Sequence, residues 1–219
     1  MYMCGRFSLS SNLEELKNEF SNEVSGNFPA KYNISPGQNS VVISLKKNNL
    51  YLNQIQWGFK VPKLSKLVIN ARSETINEKP LFKNLFQQNR CLIPANSWFE
   101  WDYEKKPYLI KHKKNDIIAF AGLQRIEENK ESSFVIITAD AGKDLKKIHN
   151  RTPLVINKEN FQFWLGNDYE KACKILKSMN ANEYTFHPVS PKVGKISNDN
   201  ISVTEKYHEK ESQLNLFSN

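Results

Sequence analysis

A chain of 219 residues with an apolar fraction of 39% is long enough for one sizeable domain or two small ones, and one is expected. Its 31 Lys and Arg against 23 Asp and Glu leave a net charge of +8, which favours polyanionic partners, nucleic acid first among them; a solvated lysine surface gives the same count. There is no apolar run of bilayer length and no opening basic–apolar leader pattern, and Cys4, Cys91 and Cys173 are spaced too widely for a disulfide framework or a zinc knuckle, so a cytoplasmic (nucleoid-associated) protein with free thiols is expected.

Along the chain, Ser10 or Ser11 is placed to cap a helix carrying Leu13, Leu16 and Phe20 on one face, with Glu14 and Glu15 in its first turn. Residues 27–37 contain two prolines and read as extended or looped. Strands are predicted at 40–45 and 50–56, joined as a hairpin across 46–49, and then at 90–93, 108–111, 117–123, 134–138 and 154–156. Helices are predicted at 81–88, 144–149, 158–164 and 169–179. Many short strands with scattered helices imply an α+β class: a single domain over residues 1–204, built on a largely antiparallel, barrel-like β-sheet with flanking helices. From residue 205 the chain turns polar, and 205–219 reads as a flexible tail.

Four clusters could carry chemistry. Cys4 follows Met1-Tyr2-Met3, so translation from Met3 with loss of that methionine would leave it as an N-terminal 1,2-aminothiol, whose amine and thiol can together close a ring on an aldehyde; a small buried hydrophobe beside Phe7 is the alternative. Asn70-Ala71-Arg72-Ser73-Glu74-Thr75 follows the apolar Leu67-Val68-Ile69, where a strand is expected to run out. There Asn70 could orient a nucleophile and Arg72 clamp a phosphate, or Arg72 and Glu74 could form a surface ion pair. Glu100 stands among Trp98, Phe99 and Trp101, surroundings that raise a carboxyl pKa, although strand alternation could leave it on the wet face. In His149-Asn150-Arg151-Thr152-Pro153, the histidine could shuttle a proton and Arg151 hold a phosphate, or His149 could simply complement a helix dipole. His187 is a weaker candidate and His112 is expected to be solvated. The ligand types show no close pairing, so no metal and no cofactor are expected, and no Gly-rich phosphate loop is present.

Taken in order, Cys4-Gly5-Arg6-Phe7, Tyr32-Asn33-Ile34-Ser35-Pro36-Gly37, Trp57-Gly58-Phe59, Asn70-Ala71-Arg72-Ser73-Glu74-Thr75, Arg90-Cys91-Leu92-Ile93-Pro94, Trp98-Phe99-Glu100-Trp101 and Ile148-His149-Asn150-Arg151-Thr152-Pro153-Leu154 resemble the SOS-response-associated peptidase family, also called abasic-site-processing proteins. The resemblance runs on through His187-Pro188-Val189-Ser190 to Asn198-Asp199. It implies a DNA-damage-response enzyme that forms a thiazolidine crosslink between an N-terminal cysteine and the aldehyde of an abasic site in single-stranded DNA, shielding the lesion. On that resemblance Cys4 is the nucleophile, Asn70 orients it, Glu100 assists ring opening and proton transfer, and His149 serves imine chemistry and crosslink reversal. Arg6, Arg72 and Arg151 contact phosphates, while Asn33 and Pro36 belong to the DNA-binding segment that wedges between bases. Imine chemistry also makes a lyase reaction accessible.

Two departures stand out. The aromatic pair often found after Trp-Gly in the family is replaced by Pro62-Lys63-Leu64, and Met1-Tyr2 precede Met3. The mature chain is therefore expected to begin at Cys4, by a start at Met3 or by self-processing of the kind the peptidase name suggests. In the tail, Gln213-Leu214-Asn215-Leu216-Phe217 resembles the pentapeptide with which bacterial repair proteins bind the replication sliding clamp, with Gln213, Leu214, Leu216 and Phe217 as anchors; an amphipathic end packing on its own domain is the alternative. The other functional readings are a cysteine peptidase using Cys4 and His149, and a non-covalent single-strand-binding module.

Overall fold

The computed structural model describes residues 4–20, 27–46, 49–62, 64–114, 116–127, 132–176 and 183–208. Within them, apolar side chains at period two build two sheets over a shared core. The first sheet is antiparallel, with neighbours in the order β13 (Tyr184–Pro188), β8 (Pro107–His112), β7 (Ser97–Trp101), β1 (Arg6–Leu9) and β2 (Lys31–Ile34). In the second, β10 (Ser133–Asp140), β4 (Asn49–Trp57), β3 (Asn39–Lys46), β6 (Arg90–Ala95) and β9 (Ile118–Arg125) follow one another. Strand β9 pairs back onto β10 and closes them into a ring, so the barrel-like α+β expectation holds. Short strands β5 (Asn70–Arg72) and β11 (Arg151–Pro153) attach to β10, and β12 (Val155–Ile156) to β9. β4 and β5 run parallel to β10; the other pairings are antiparallel.

Phe7 from the first sheet meets Trp57 and Phe120 of the ring edge-on, at 5.2 and 5.8 Å between ring centres, and Trp98 adds a further edge-on contact to Phe120. These rings are fully or almost fully buried, and the buried indole N–H groups of Trp57 and Trp164 donate to the carbonyls of Ile69 (3.0 Å) and Cys91 (2.8 Å). The opposite face of the first sheet carries a separate small core of Phe99, Leu109, Val189, Val193 and Val203. Helices α1 (Leu13–Glu19), α2 (Pro80–Gln88), α3 (Phe161–Leu165) and α4 (Tyr169–Ile175) flank the ring.

Several elements differ from their predicted form. Neither Ser10 nor Ser11 caps α1, because their hydroxyls engage the Asn96 side chain, Ser10 donating to Oδ1 at 3.3 Å and Ser11 accepting from Nδ2 at 2.9 Å. Asn12 caps instead, in a reciprocal box with Glu15. The proline-containing stretch 27–37 includes β2, paired to β1. The helix predicted at 144–149 is a single 3-10 turn, Leu145–Lys147, and residues 177–179 of the one predicted at 169–179 lie outside the described residues. Asn70 does not follow a strand end: it opens β5, held parallel to β10. Residues 205 onward are not all tail, since Lys206 bridges Val189 and the Tyr207 N–H donates to the Pro188 carbonyl at 2.9 Å.

Ring closure turns on Gly122, which faces Cys91 of β6 on one side and Ile136 of β10 on the other. A Cβ there would lie 2.2 Å from Ile93 Cδ1 and 3.0 Å from both Cys91 Sγ and the Val135 carbonyl oxygen. The backbone oxygen cannot swing aside, so Gly122→Ala is expected to cost roughly 1–3 kcal/mol by overpacking. Thermal unfolding should show a Tm several degrees lower; an unchanged Tm would contradict so tight a corner.

Candidate active site

Strand register brings Cys4 to Glu100. Because Arg6 pairs with Phe99 and the two strands are antiparallel, the chain preceding Arg6 runs alongside Glu100 and Trp101. The Cys4 backbone N–H donates to Glu100 Oε1 at 2.9 Å, and both residues are only 2% exposed. Glu100 is therefore not on a wet face: along β7, Trp98 joins the main core while Phe99 packs in the smaller one, and Glu100 shares the Trp98 side by strand alternation. Burial raises the Glu100 carboxyl from 4.5 to about 8, against a smaller opposing pull from its hydrogen bonds with Cys4. Burial, followed by the Glu100 charge, holds the Cys4 thiol well above its ordinary value, and Arg151 pulls it part of the way back. Cys4 also takes φ 46°, in the left-handed region that costs a non-glycine residue on the order of 1–3 kcal/mol.

Arg151 joins the other two clusters. Its NH1 donates to Glu74 Oε1 (2.5 Å) and Asp140 Oδ1 (2.8 Å), and its NH2 to Glu74 Oε2 (3.0 Å) and the Thr138 carbonyl (2.6 Å). The guanidinium thus crosses the end of β10 and ties β11 to the 3-10 turn that follows β5. Burial would lower its pKa, but the Glu74 and Asp140 pairings outweigh this and raise it; the Arg151 hydrogen bond in turn lowers the Glu74 carboxyl. Glu74 therefore pairs with Arg151 and not with Arg72, which is exposed at the end of β5. Half-buried His149 brings Nδ1 within 3.0 Å of the Arg151 backbone nitrogen and 3.3 Å of the Arg151 carbonyl, so the ring is held by its own segment. Asn70 is half-buried, in register with Ile136 of β10.

Arg6 and Asn33 form a second group. Arg6 donates to Asn33 Oδ1 (2.8 Å) and to the Val193 (3.0 Å) and Gly194 (2.9 Å) carbonyls, and burial lowers its pKa. The Asn33 side chain, 0% exposed, spends its amide on the carbonyls of Val193, Lys195 and Asn198. It cannot touch DNA directly in this arrangement; its part is to hold residues 193–198 against β2. Asp199 completes that attachment, accepting the Tyr32 and Asn33 N–H groups at 2.6 and 2.9 Å. Pro36 is half-buried in the turn closed by Gly37 at φ 88°. His187 is tied to the Thr204 carbonyl at 3.0 Å, and His112 is not solvated but half-buried beside Asp116 at 3.1 Å. Gln213, Leu214, Leu216 and Phe217 lie outside the described residues, as do Met1, Tyr2 and Met3. Glu74 and Asp140, the partners of Arg151, were not among the expected site residues; Asp140 carries no local signal and is found only through its register with Arg151. Among the described residues no group of three or more His, Cys, Asp and Glu is placed to hold a metal.

A buried carboxyl against a cysteine near the chain start, on a closed ring with an attached antiparallel sheet, defines a class. Residues 3–196 match the family model described as SOS response associated peptidase (SRAP), and the chain belongs to that family. The abasic site processing protein YoqW of Bacillus subtilis (strain 168) is 31% identical over 224 residues, covering 94% of this chain and 100% of the relative. The abasic site processing protein YedK of Escherichia coli (strain K12) is 31% identical over 220 residues, covering 93% and 99%. A crystal structure of a phage-related protein from Bordetella bronchiseptica has a TM-score of 0.73 at 27% identity, covering 85% of this chain and 94% of that one.

The Glu100 carboxyl makes stability depend on pH. Its folded pKa lies above the unfolded value, so between 4.5 and about 8 the folded chain holds more protons and loses stability as pH rises. Glu100→Gln, neutral and similar in shape, removes that loss. Its Tm relative to the parent is expected to climb by several degrees between pH 5 and pH 8, at roughly 2–4 °C per kcal/mol for a chain of this size. A Tm difference that stays constant across the window would contradict the raised carboxyl.

Proposed function

We propose that this chain captures abasic sites in single-stranded DNA as a covalent crosslink to Cys4 once residues 1–3 have been removed. The observation that carries the reading is the buried contact between the Cys4 nitrogen and the Glu100 carboxyl. While residue 3 is attached, that nitrogen is an amide without nucleophilic character. Removal of residues 1–3, by a start at Met3 or by self-processing, converts it to an amine and also abolishes the strained φ torsion, which exists only across that peptide bond. The names of YoqW and YedK support the substrate class, and the net charge of +8 supports a polyanion.

The chemistry follows from the two groups. An abasic sugar is mostly a closed hemiacetal; Glu100 in its acid form gives its proton to the ring oxygen as the C1′–O4′ bond breaks and takes the proton of the C1′ hydroxyl, leaving the aldehyde. The Cys4 amine adds to the carbonyl carbon and water departs, giving an imine. The thiol then adds across the C=N bond, sulfur to carbon and its proton to nitrogen, closing a thiazolidine with net loss of one water. Asn70 orients the nucleophile, and His149 exchanges protons during imine formation and reversal. From the imine, removal of a C2′ proton with departure of the 3′ phosphate is the competing lyase step, which ring closure suppresses. Arg6 and Arg72 meet phosphates, Pro36 belongs to the segment that wedges between bases, Asn33 holds Arg6 and residues 193–198 in place, and Arg151, neutralised by Glu74 and Asp140, ties β11 to the turn after β5. A cysteine-peptidase reading is less well supported, because the group touching Cys4 is a carboxyl and not an imidazole, and burial raises the thiol.

Incubation with an abasic single-stranded oligonucleotide tests the proposal. Chain beginning at Cys4 is expected to give a denaturant-resistant adduct, lost in Cys4→Ala and slowed by about 10²-fold or more in Glu100→Gln, the scale of general acid–base catalysis. Equal adduct formation by chain retaining Met1 would sink the requirement for a free amine.

The tail gives a second proposal, that Gln213, Leu214, Leu216 and Phe217 dock on the replication sliding clamp and keep the protein with the DNA. Deleting 213–219 is expected to abolish clamp pull-down and leave crosslinking to a free oligonucleotide unchanged; clamp binding that survives the deletion would refute it.

A further inference from the structure

Three residues beyond Glu100, the turn joining β7 to β8 carries Tyr103, 73% exposed and the most exposed large hydrophobic side chain among the described residues. An aromatic ring at a turn tip ordinarily swings freely, but this one is held. Its hydroxyl donates to Asn150 Oδ1 at 3.0 Å, and Asn150 stands between His149 and Arg151. The turn beneath is also fixed: Asp102 Oδ1 accepts the N–H groups of Glu104 and Lys106 at 2.9 Å each, and Lys105 takes φ 65° to close it. At the other anchor, the Asn150 carbonyl accepts the Ala141 N–H at 2.9 Å. The ring therefore spans from the strand bearing Glu100 to the segment bearing His149, with its polar end satisfied and most of its surface open to solvent.

Lysines flank it on both sides. Lys105 and Lys106 are exposed in the same turn, and Lys143, Lys146 and Lys147 are exposed just ahead of His149. Glu104 pairs with Lys106 at 3.3 Å, Asp102 shares the turn with Lys105, and Asp144 pairs with Lys147 at 3.4 Å, leaving Lys143 and Lys146 as the cationic surplus, on the Asn150 side of the ring. A flat, tethered aromatic beside a cationic segment is the arrangement that accepts single-stranded nucleic acid, bases on the ring and phosphates on the lysines.

We infer that Tyr103 is a stacking platform for an unpaired nucleobase, the one next to the abasic sugar as it enters the Cys4–Glu100 site. An abasic position leaves its neighbouring base without a stacking partner on one side, and the Tyr103 ring supplies one. The inference rests on the proposed single-stranded-DNA reading. It assigns base contact to the β7–β8 turn, in a chain that carries Pro62-Lys63-Leu64 after its Trp-Gly segment.

The test measures fluorescence polarisation of a labelled single-stranded oligonucleotide containing a tetrahydrofuran abasic analogue, which has no aldehyde and cannot crosslink. Tyr103→Ala is expected to weaken binding about ten-fold, the scale of one base–aromatic stack, while Tyr103→Phe, which keeps the ring, stays within about three-fold of the parent. The slope of log Kd against log salt should be unchanged in Tyr103→Ala, because no phosphate contact is lost. Unchanged binding by Tyr103→Ala, an equal loss in the Ala and Phe variants, or a shallower salt slope would each overturn the platform while leaving the crosslinking proposal intact. Failure of the unsubstituted chain to bind the oligonucleotide would overturn both.

Discussion

The hydrogen bond from the Cys4 nitrogen to the buried Glu100 carboxyl is the constraint to which the rest of the site answers. A carboxyl removed from water resists ionisation, so Glu100 stays protonated to about pH 8 and keeps a transferable proton where an exposed glutamate would have lost it. The same burial holds the Cys4 thiol in its neutral form. Converting the Cys4 amide to an ammonium would place a positive charge 2.9 Å from Glu100 Oε1, pulling the carboxyl down and the ammonium up as a coupled pair. On the proposed function, processing of the chain start would thus be an electrostatic event as well as the unmasking of a nucleophile.

The two sheets divide the labour. The antiparallel sheet sets the Cys4–Glu100 contact through the register of β1 on β7, while the ring delivers Asn70, Arg72, His149 and Arg151 on strands and turns attached to β10. Arg151 fastens this second group through the Asp140 carboxylate at the end of β10 and the Glu74 carboxylate in the turn beyond β5. Ring closure at Gly122 therefore matters to the site, because β10 carries the elements attached there only while β9 holds its register.

Much of this was legible in the amino-acid order, and what was not has identifiable causes. The β3–β4 hairpin and strands β6, β8, β9 and β10 were readable because each holds a run of apolar or alternating residues bounded by polar turns. Strands β1 and β2 were hidden: four residues each, one preceded by a cysteine and glycine and the other lying between prolines, they exist through pairing with each other and with β7. Cys4, Glu100 and His149 stood out by residue type and neighbours. The burial of Glu100 could not be decided from alternation, because both faces of β7 are covered, one by each core. The role of Asn33 was misplaced for a similar reason: a polar residue in a loop-like stretch reads as a surface contact, and only the return of residues 193–199 across β2 buries it. Asp140 needed the β10–β11 register, a contact that no local pattern encodes.

Glu100 is a buried carboxyl in contact with the Cys4 nitrogen, and ¹³C NMR of the glutamate side-chain carboxyl carbons reads that directly. In the chain with residues 1–3 attached, one resonance, absent from Glu100→Gln, should titrate with a midpoint near 8, and in chain beginning at Cys4 that midpoint should fall. A Glu100 midpoint at the ordinary value of 4.5 in the intact chain would contradict the account.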